Sequence, residues 1–315
     1  MASPKITNRL TFKATAATVS IPASSANLGP GFDSFGLALD IRDRYIAQIL
    51  DDQVIDIDIA GEGADEIKKD KNNLVYKSMH RAFEAMGQQP RGVALRQLNA
   101  IPHGRGLGSS SAAIVGGMFL ARALVLDGEM LLPDDAIFAL ASEIEGHPDN
   151  VAPTIYGGAT IAWMQDGKAE KVSLTVDPRI TTTIFVPQAQ LATAKARKML
   201  PESISREDAI NNTINAALMS TALSTRPDLL FKATGDYLHQ SYRKEGYPHS
   251  FALVELLRGA GLAAFISGAG PAVAILHTLS ESEIDEVILS VSRSFGEKFT
   301  SENSAISARG TVVEK

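Results

Sequence analysis

The chain has no cysteine and a single tryptophan in 315 residues. The lack of thiols excludes disulfides, thiolate metal sites and cysteine nucleophiles, and is compatible with a reducing compartment. No stretch approaches the roughly 20 consecutive apolar residues that a membrane helix needs. Positive charge is also in short supply. The 30 Lys and Arg are outnumbered by 36 Asp and Glu, for a net charge of −6, whereas a nucleic-acid binder clusters cations. Neither a nucleic acid nor a membrane is expected as a partner. Residues 1–16 carry Lys5, Arg9 and Lys13 without the apolar segment of a secretory signal. They are read as a loose leader on a cytoplasmic protein.

What is present is an ordinary globular composition, 45% apolar and 21% charged, on a chain longer than one core usually organises. Two lobes are expected, 1–165 and 166–315, divided at the turn 165–168. Residues 17–22 alternate as a strand, 23–33 form a loop rich in Gly, Pro and Asn, and 36–59 alternate again. Asn73 is placed to cap a helix in which Val75, Met79, Ala82, Phe83 and Met86 recur at helical spacing until Gly87. A strand at 93–98 leads through a glycine loop into a helix at 112–126, and Pro133 introduces another at 134–145. In the second half, strands are expected at 159–164, 181–186, 262–266, 272–277 and 307–313. Helices are expected at 206–223, 229–239, 251–258 and from Ser280, with Glu283 completing a capping box, to Phe295. The class is α+β.

The glycine loop is the first chemical signal. A loop that cradles phosphate needs inward-turned backbone N–H groups, hence glycines free to take positive φ, followed by a helix whose N-terminus carries partial positive charge. Gly104, Gly106 and Gly108 before Ser109, Ser110 and Ser111 meet these demands. The Ser109 hydroxyl suits the Mg²⁺ that accompanies a nucleotide. The bland alternative is a connection with a serine N-cap. Neither the P-loop Lys-Ser/Thr nor the dinucleotide G-x-G-x-x-G spacing is present.

Two more segments concentrate polar groups. In 23–33, Asn27 and Asp33 sit among small residues and either face a ligand or stabilise an Asx turn. Residues 145–150 bring Glu145, His147, Asp149 and Asn150 together just after a helix. Without a second His at ligand spacing, zinc is disfavoured. Glu145, with Ser109, suits magnesium, although it could also be a solvated carboxylate.

The string Pro102 to Ser111 (PHGRGLGSSS) resembles the phosphate loop of GHMP kinases, 23–33 resembles the first motif of the homoserine kinases among them, and Ser267 to Pro271 (SGAGP) resembles the third GHMP motif. The resemblance, which runs from about Ala17 to His277, implies a two-lobed GHMP kinase fold. Its N-terminal lobe would hold a left-handed βαβ unit and its C-terminal lobe a ferredoxin-like α/β sandwich. It further implies ATP and Mg²⁺ as cofactors, phosphorylation of the side-chain hydroxyl of L-homoserine on the way to threonine, and a homodimer.

By residue, the resemblance implies that Pro102, His103, Gly104, Arg105, Gly106, Leu107, Gly108, Ser109, Ser110, Ser111 and Ala112 surround the phosphates, with Asn73 near the adenine. Asn27, Asp33, His147 and Gly268 would line the amino-acid site. Arg197, in a T-x-x-A-R-x-x-L-P segment, and Arg243 would offer guanidinium forks to the carboxylate. Asn150 would meet the hydroxyl, where many relatives have an aspartate. An amide accepts no proton at neutral pH, so catalysis would rest on positioning and charge neutralisation, with Asp149 as the alternative base. Family members with longer segments separate the E-G pair from H-x-D-N, and this chain has the short form. Another GHMP kinase acting on mevalonate or a sugar, and a non-catalytic GHMP-fold binding protein, are the competing readings.

Overall fold

The computed structural model describes residues 9–314. Alternation at 17–22 and in the first part of 36–59 builds two long antiparallel strands, β1 (Ala17–Asn27) and β2 (Gly31–Leu50), while the rest of 36–59 forms a separate strand after a break at 51–54. The expected loop 23–33 is therefore mostly strand. Register shifts at Pro22/Ala23 and Ala26/Asn27 let the ladder absorb the Pro, Gly and Asn that make the segment read as a loop. Next come β3 (Ile55–Gly61), α1 (Leu74–Met86) and β4 (Gly92–Asn99), with β3 and β4 paired in parallel across the helix. As its sequence predicts, α1 is capped by Asn73 and stopped by Gly87 at φ 100°.

The central helix is α2 (Ser109–Ala123), almost wholly buried and starting three residues earlier than the apolar run suggests. Glycine in a helix interior costs up to about 1 kcal/mol, and α2 carries two for reasons of space. A Cβ at Gly117 would lie 2.4 Å from the Val75 carbonyl oxygen of α1, and one at Gly116 would lie 2.7 Å from the Tyr45 ring of β2. Helices α3 (Gly128–Leu131), α4 (Asp134–Glu145) and α5 (Val151–Tyr156) follow, then the hairpin of β5 (Ala159–Gln165) and β6 (Lys168–Leu174). The turn 165–168 is thus a hairpin tip inside the first sheet, not a passage between lobes. The chain crosses to the second sheet between Leu174 and Thr181.

That sheet comprises β7 (Thr181–Pro187), β8 (Ala263–Ile266), β9 (Val273–His277) and β10 (Phe299–Ser304) in the order β10-β7-β9-β8. All its pairs are antiparallel, the strand order of a ferredoxin-like sandwich. Its helices are α6 (Thr193–Arg197), α7 (Arg206–Ser224), α8 (Leu230–Ala233), α9 (Pro248–Gly259) and α10 (Glu281–Phe295). Period-two packing divides the sheet. Phe185, Val273 and Ile275 join α9 and α10 in one core, while Ile184, Ala274 and Leu276 face the core shared with the first lobe.

The helix expected at 229–239 ends at Ala233, because the Asp236 carboxylate accepts from the backbone N–H groups of Leu238, His239 and Gln240 and fixes a turn there. A last strand, β11 (Val312–Glu314), returns to pair with β1. Of the expected loose leader, residues 1–8 lie outside the described residues. Leu10 and Phe12 pack on the first core, Phe12 edge-on to Phe83. Among the described residues no helix is long and apolar enough to cross a membrane.

Candidate active site between the lobes

The phosphate loop leaves β4 and enters α2 with Gly104, Gly106 and Gly108 at φ 66°, 79° and 69°, a left-handed conformation that glycine takes without strain. Side chains would also be refused for space. A Cβ on Gly106 would lie 2.2 Å from the Ser267 carbonyl oxygen, and one on Gly108 would lie 2.0 Å from Ser24 Oγ. No side chain caps α2, and its first turn has no acidic residue, so its leading N–H groups and positive dipole end open on the loop.

The three glycine-rich segments interlock. Ser24 N–H donates to the Leu107 carbonyl, Ala272 N–H to that of Arg105, and Gly268 N–H to that of Ala26. Ser267 Oγ donates to the Gly106 carbonyl at 2.7 Å, and Asn27 Nδ2 to that of Gly268 at 2.8 Å. They enclose a cavity of about 270 Å³, lined by Asn27, Phe32, Asp33, the three loop glycines, Ser109, Ser110, Glu145, His147, Asp149, Asn150, Arg197, Arg243 and Gly268, among others.

One end of the cavity is ionic. Arg197 donates two parallel hydrogen bonds to Asp33, at 2.6 and 2.9 Å. Arg243, only 2% exposed, forms no salt bridge among the described residues. It donates from Nε to the Ala196 carbonyl at 3.1 Å and from NH1 to His239 Nδ1 at 3.3 Å. His239 donates in turn from Nε2 to the Gly29 carbonyl at 2.9 Å, so one neutral tautomer satisfies both contacts. Burial lowers the pKa of His239, which agrees with that neutral form. The Phe32 ring lies within cation–π reach of both guanidiniums, 5.5 Å from Arg197 Cζ and 5.3 Å from Arg243 Cζ. A buried cation without a counter-ion is expensive, and this one borders a cavity that an anion could enter.

Asn150 lies at the middle. Its Oδ1 accepts from Ser24 Oγ at 2.9 Å, while its Nδ2 lies 3.5 Å from Asp149 Oδ1, an arrangement that only this orientation of the amide tolerates. Asp149 Oδ1 also accepts from the Asn150 N–H at 2.8 Å and meets His147 Nδ1 at 2.6 Å. Burial pulls the His147 pKa down, but the hydrogen bond and charge of Asp149, with the charge of Glu145, raise it overall. On the loop side, Ser110 Oγ donates to Glu145 Oε1 at 2.5 Å. Glu145 and the serine hydroxyls are hard oxygen donors, the kind that suits magnesium. Among the described residues no cluster of three or more His, Asp or Glu forms a protein-only metal cage.

Other expected residues lie elsewhere. Asn73 is buried within the first lobe, accepting from Tyr76 N–H and Gln97 Nε2 and donating to the Lys68 carbonyl. The Arg105 side chain turns away from the cavity and donates to the carbonyls of His103, Pro187 and Gln188. Pro102, His103, Leu107, Ser111 and Ala112 shape the loop and helix without lining the cavity. Sequence reasoning passed over Ser24, Phe32 and His239. Ser24 and Phe32 lie inside the first motif, but His239 is some 200 residues away and nothing local marks it.

Comparison with known proteins places these features in a family context. The model for the GHMP kinases N terminal domain matches residues 73–158, and that for the GHMP kinases C terminal matches 216–298. The homoserine kinase of Streptomyces avermitilis is 45% identical over 302 residues, covering 96% of this chain and 97% of that protein. That of Streptomyces coelicolor is 49% identical over 265 residues, covering 84% and 85%. Among solved structures, homoserine kinase from Cytophaga hutchinsonii has a TM-score of 0.82 at 26% identity, covering 97% of this chain and 100% of that one. Mevalonate diphosphate decarboxylase from Staphylococcus aureus, with a TM-score of 0.65 at 15% identity, shares the fold alone.

Proposed function

The chain belongs to the GHMP kinases and, within them, to the homoserine kinases, whose ATP-dependent reaction it carries out; from that premise we propose how its cavity moves the γ-phosphate of ATP onto the side-chain hydroxyl of L-homoserine. The carrying observation is that one cavity joins two unlike surfaces. An uncapped helix N-terminus behind a glycine loop lies on one side, and on the other a buried guanidinium that forms no salt bridge among the described residues. The first suits phosphate and the second an amino-acid carboxylate.

Homoserine places its carboxylate on Arg243 and Arg197 and its ammonium on Asp33, with Asn27 fixing the local backbone by accepting from Asp33 N–H. Asn150 directs Nδ2 at the substrate hydroxyl, since Ser24 occupies its Oδ1. The hydroxyl oxygen attacks the γ-phosphorus, the bond to the β-phosphate oxygen breaks, and the hydroxyl proton leaves on the transferred phosphoryl group. Asp149, 2% exposed and committed to His147 and the Asn150 N–H, orients Asn150 rather than acting as base. Loose phosphoryl transfer needs alignment and charge neutralisation more than a strong base. Glu145 and Ser109 are the groups that would hold Mg²⁺, which when bound neutralises charge on the β- and γ-phosphates.

Coupled ADP release with ATP, Mg²⁺ and a panel of L-homoserine, L-serine, mevalonate and galactose tests the reading. Turnover confined to L-homoserine is expected. Turnover with mevalonate or a sugar would overturn the roles given to Asp33, Arg197 and Arg243.

A further inference from the structure

Strand β2 buries Ile41, Tyr45 and Ala47 on its inner face, and Asp43 occupies an inner position among them with no exposure. Its chain neighbours do not neutralise it. Arg42 binds Ser20, Ser307 and backbone carbonyls on the other face, and Arg44 pairs with Glu314. Among the described residues Asp43 forms no salt bridge. A buried carboxylate without a cation costs several kcal/mol unless hydrogen bonds compensate, and three do. Oδ1 accepts from the N–H groups of Ala100 at 2.7 Å and Ile101 at 2.9 Å, and Oδ2 accepts from the Tyr45 hydroxyl at 2.8 Å.

The places these bonds reach give them meaning. The ladder between β2 and β4 stops at the pair Arg44 and Leu98. Just beyond it the Asp43 side chain takes over, catching the last two N–H groups before Pro102, which has none. Tyr45, almost fully buried, packs its ring on Gly116 of α2, where a Cβ would lie 2.7 Å away. The same two side chains therefore touch the strand before the phosphate loop and the helix after it. Between these ends the loop contains three glycines at positive φ and little intrinsic stiffness.

We propose that Asp43 is a positioning residue for phosphoryl transfer, fixing the start of the phosphate loop through Ala100 and Ile101 and its helix through Tyr45, so that the loop is set before ATP arrives. Burial pushes the Asp43 carboxyl up from its usual range against the pull of its hydrogen bonds, as expected for a group held by neutral donors.

The test is steady-state kinetics of Asp43→Ala, Asp43→Asn and Tyr45→Phe in the full chain, with thermal unfolding alongside. For Asp43→Ala the KM for ATP should rise about tenfold or more, since sub-ångström displacement of a positioning element is costly, while the KM for homoserine stays within about twofold. Asp43→Asn, whose Oδ1 still accepts both N–H groups and whose Nδ2 can donate to Tyr45, should recover most of the ATP affinity. An unchanged KM for ATP in Asp43→Ala, equal rises in both KM values, or an Asn variant as impaired as the Ala variant would each overturn the proposal. Should Asp43→Ala not fold, Tyr45→Phe decides. A selective rise in the KM for ATP supports the role, and an unchanged one refutes it.

Discussion

Asp33 and Arg197 meet across the cavity as a bidentate ion pair although 164 positions separate them in the chain. Each side chain is 37% exposed, and an ion pair that open to solvent is worth about 0–1 kcal/mol. It is weak enough for a zwitterionic amino acid to come between, its ammonium taking Asp33 and its carboxylate the guanidinium. Arg197→Ala should therefore raise the KM for homoserine about tenfold and leave the KM for ATP unchanged. An unaltered homoserine KM would remove Arg197 from the substrate site.

Arg243 should matter more, because it is 2% exposed and forms no salt bridge among the described residues. Loss of a buried, charge-assisted contact of about 2–3 kcal/mol predicts a rise of about 30- to 150-fold in the homoserine KM for Arg243→Ala. Arg243→Lys should recover only part of it, since an ammonium cannot reproduce the planar fork. Full recovery by Lys would mean that charge alone suffices.

Ser24 gives Asn150 its orientation. Ser24→Ala frees Oδ1, and the amide can then turn, so kcat should fall about tenfold with both KM values within about threefold, as for an interaction used mainly in the transition state. Gly108→Ala attacks the same contact from the loop, where an added Cβ would meet Ser24 Oγ at 2.0 Å on backbone at φ 69°. It should lower both kcat and thermal stability, the latter by about 1–3 kcal/mol. Wild-type kinetics in either variant would contradict the assignment.

Glu145 is predicted to set the magnesium requirement. Glu145→Gln keeps a partner for Ser110 but removes the charge. The magnesium concentration for half-maximal rate at fixed ATP should rise about tenfold, with the homoserine KM nearly unchanged. A magnesium titration that overlays the wild-type curve would place the cation elsewhere.

His147 predicts a pH dependence of stability. Its folded pKa is raised above the ordinary 6.5 by Asp149 and Glu145. The protonated ring is therefore bound more tightly in the folded chain than in the unfolded one. The resulting stabilisation is complete below about 6.5 and disappears as pH rises through the higher folded value. Melting temperatures of the wild type and His147→Gln should differ most at pH values below about 6.5 and converge as pH rises above the folded pKa. A constant difference would show that Asp149 holds the ring only as a neutral partner.

Helices marked by their own ends were legible in the sequence. Asn73 and Gly87 bound α1, the Ser280–Glu283 box opens α10, and Pro133 with two acidic residues opens α4. Strands without a buried face were not. β6 and β10 expose most of their residues and carry no alternating apolar signal, so only pairing with β5 and β7 reveals them. In the cavity, Asn27, Asp33, the three loop glycines, Gly268 and the residues of the acidic turn were visible because the motifs are local, although Ser24 and Phe32 within the first motif were not. The bond of Arg243 to the Ala196 carbonyl, that of His239 to Gly29 and the outward turn of Arg105 towards Pro187 depend on neighbours 40 or more positions away. No periodicity encodes such contacts.

The bonds that tie Ser24 to Leu107, Ala272 to Arg105 and Gly268 to Ala26 join three separate stretches of chain through backbone groups. Transplanting one stretch from a relative that acts on another alcohol would carry its side chains into a frame built for different neighbours. Altered substrate choice in this scaffold therefore calls for coordinated exchange of all three segments, and single-segment chimeras should lose activity before they gain a new one.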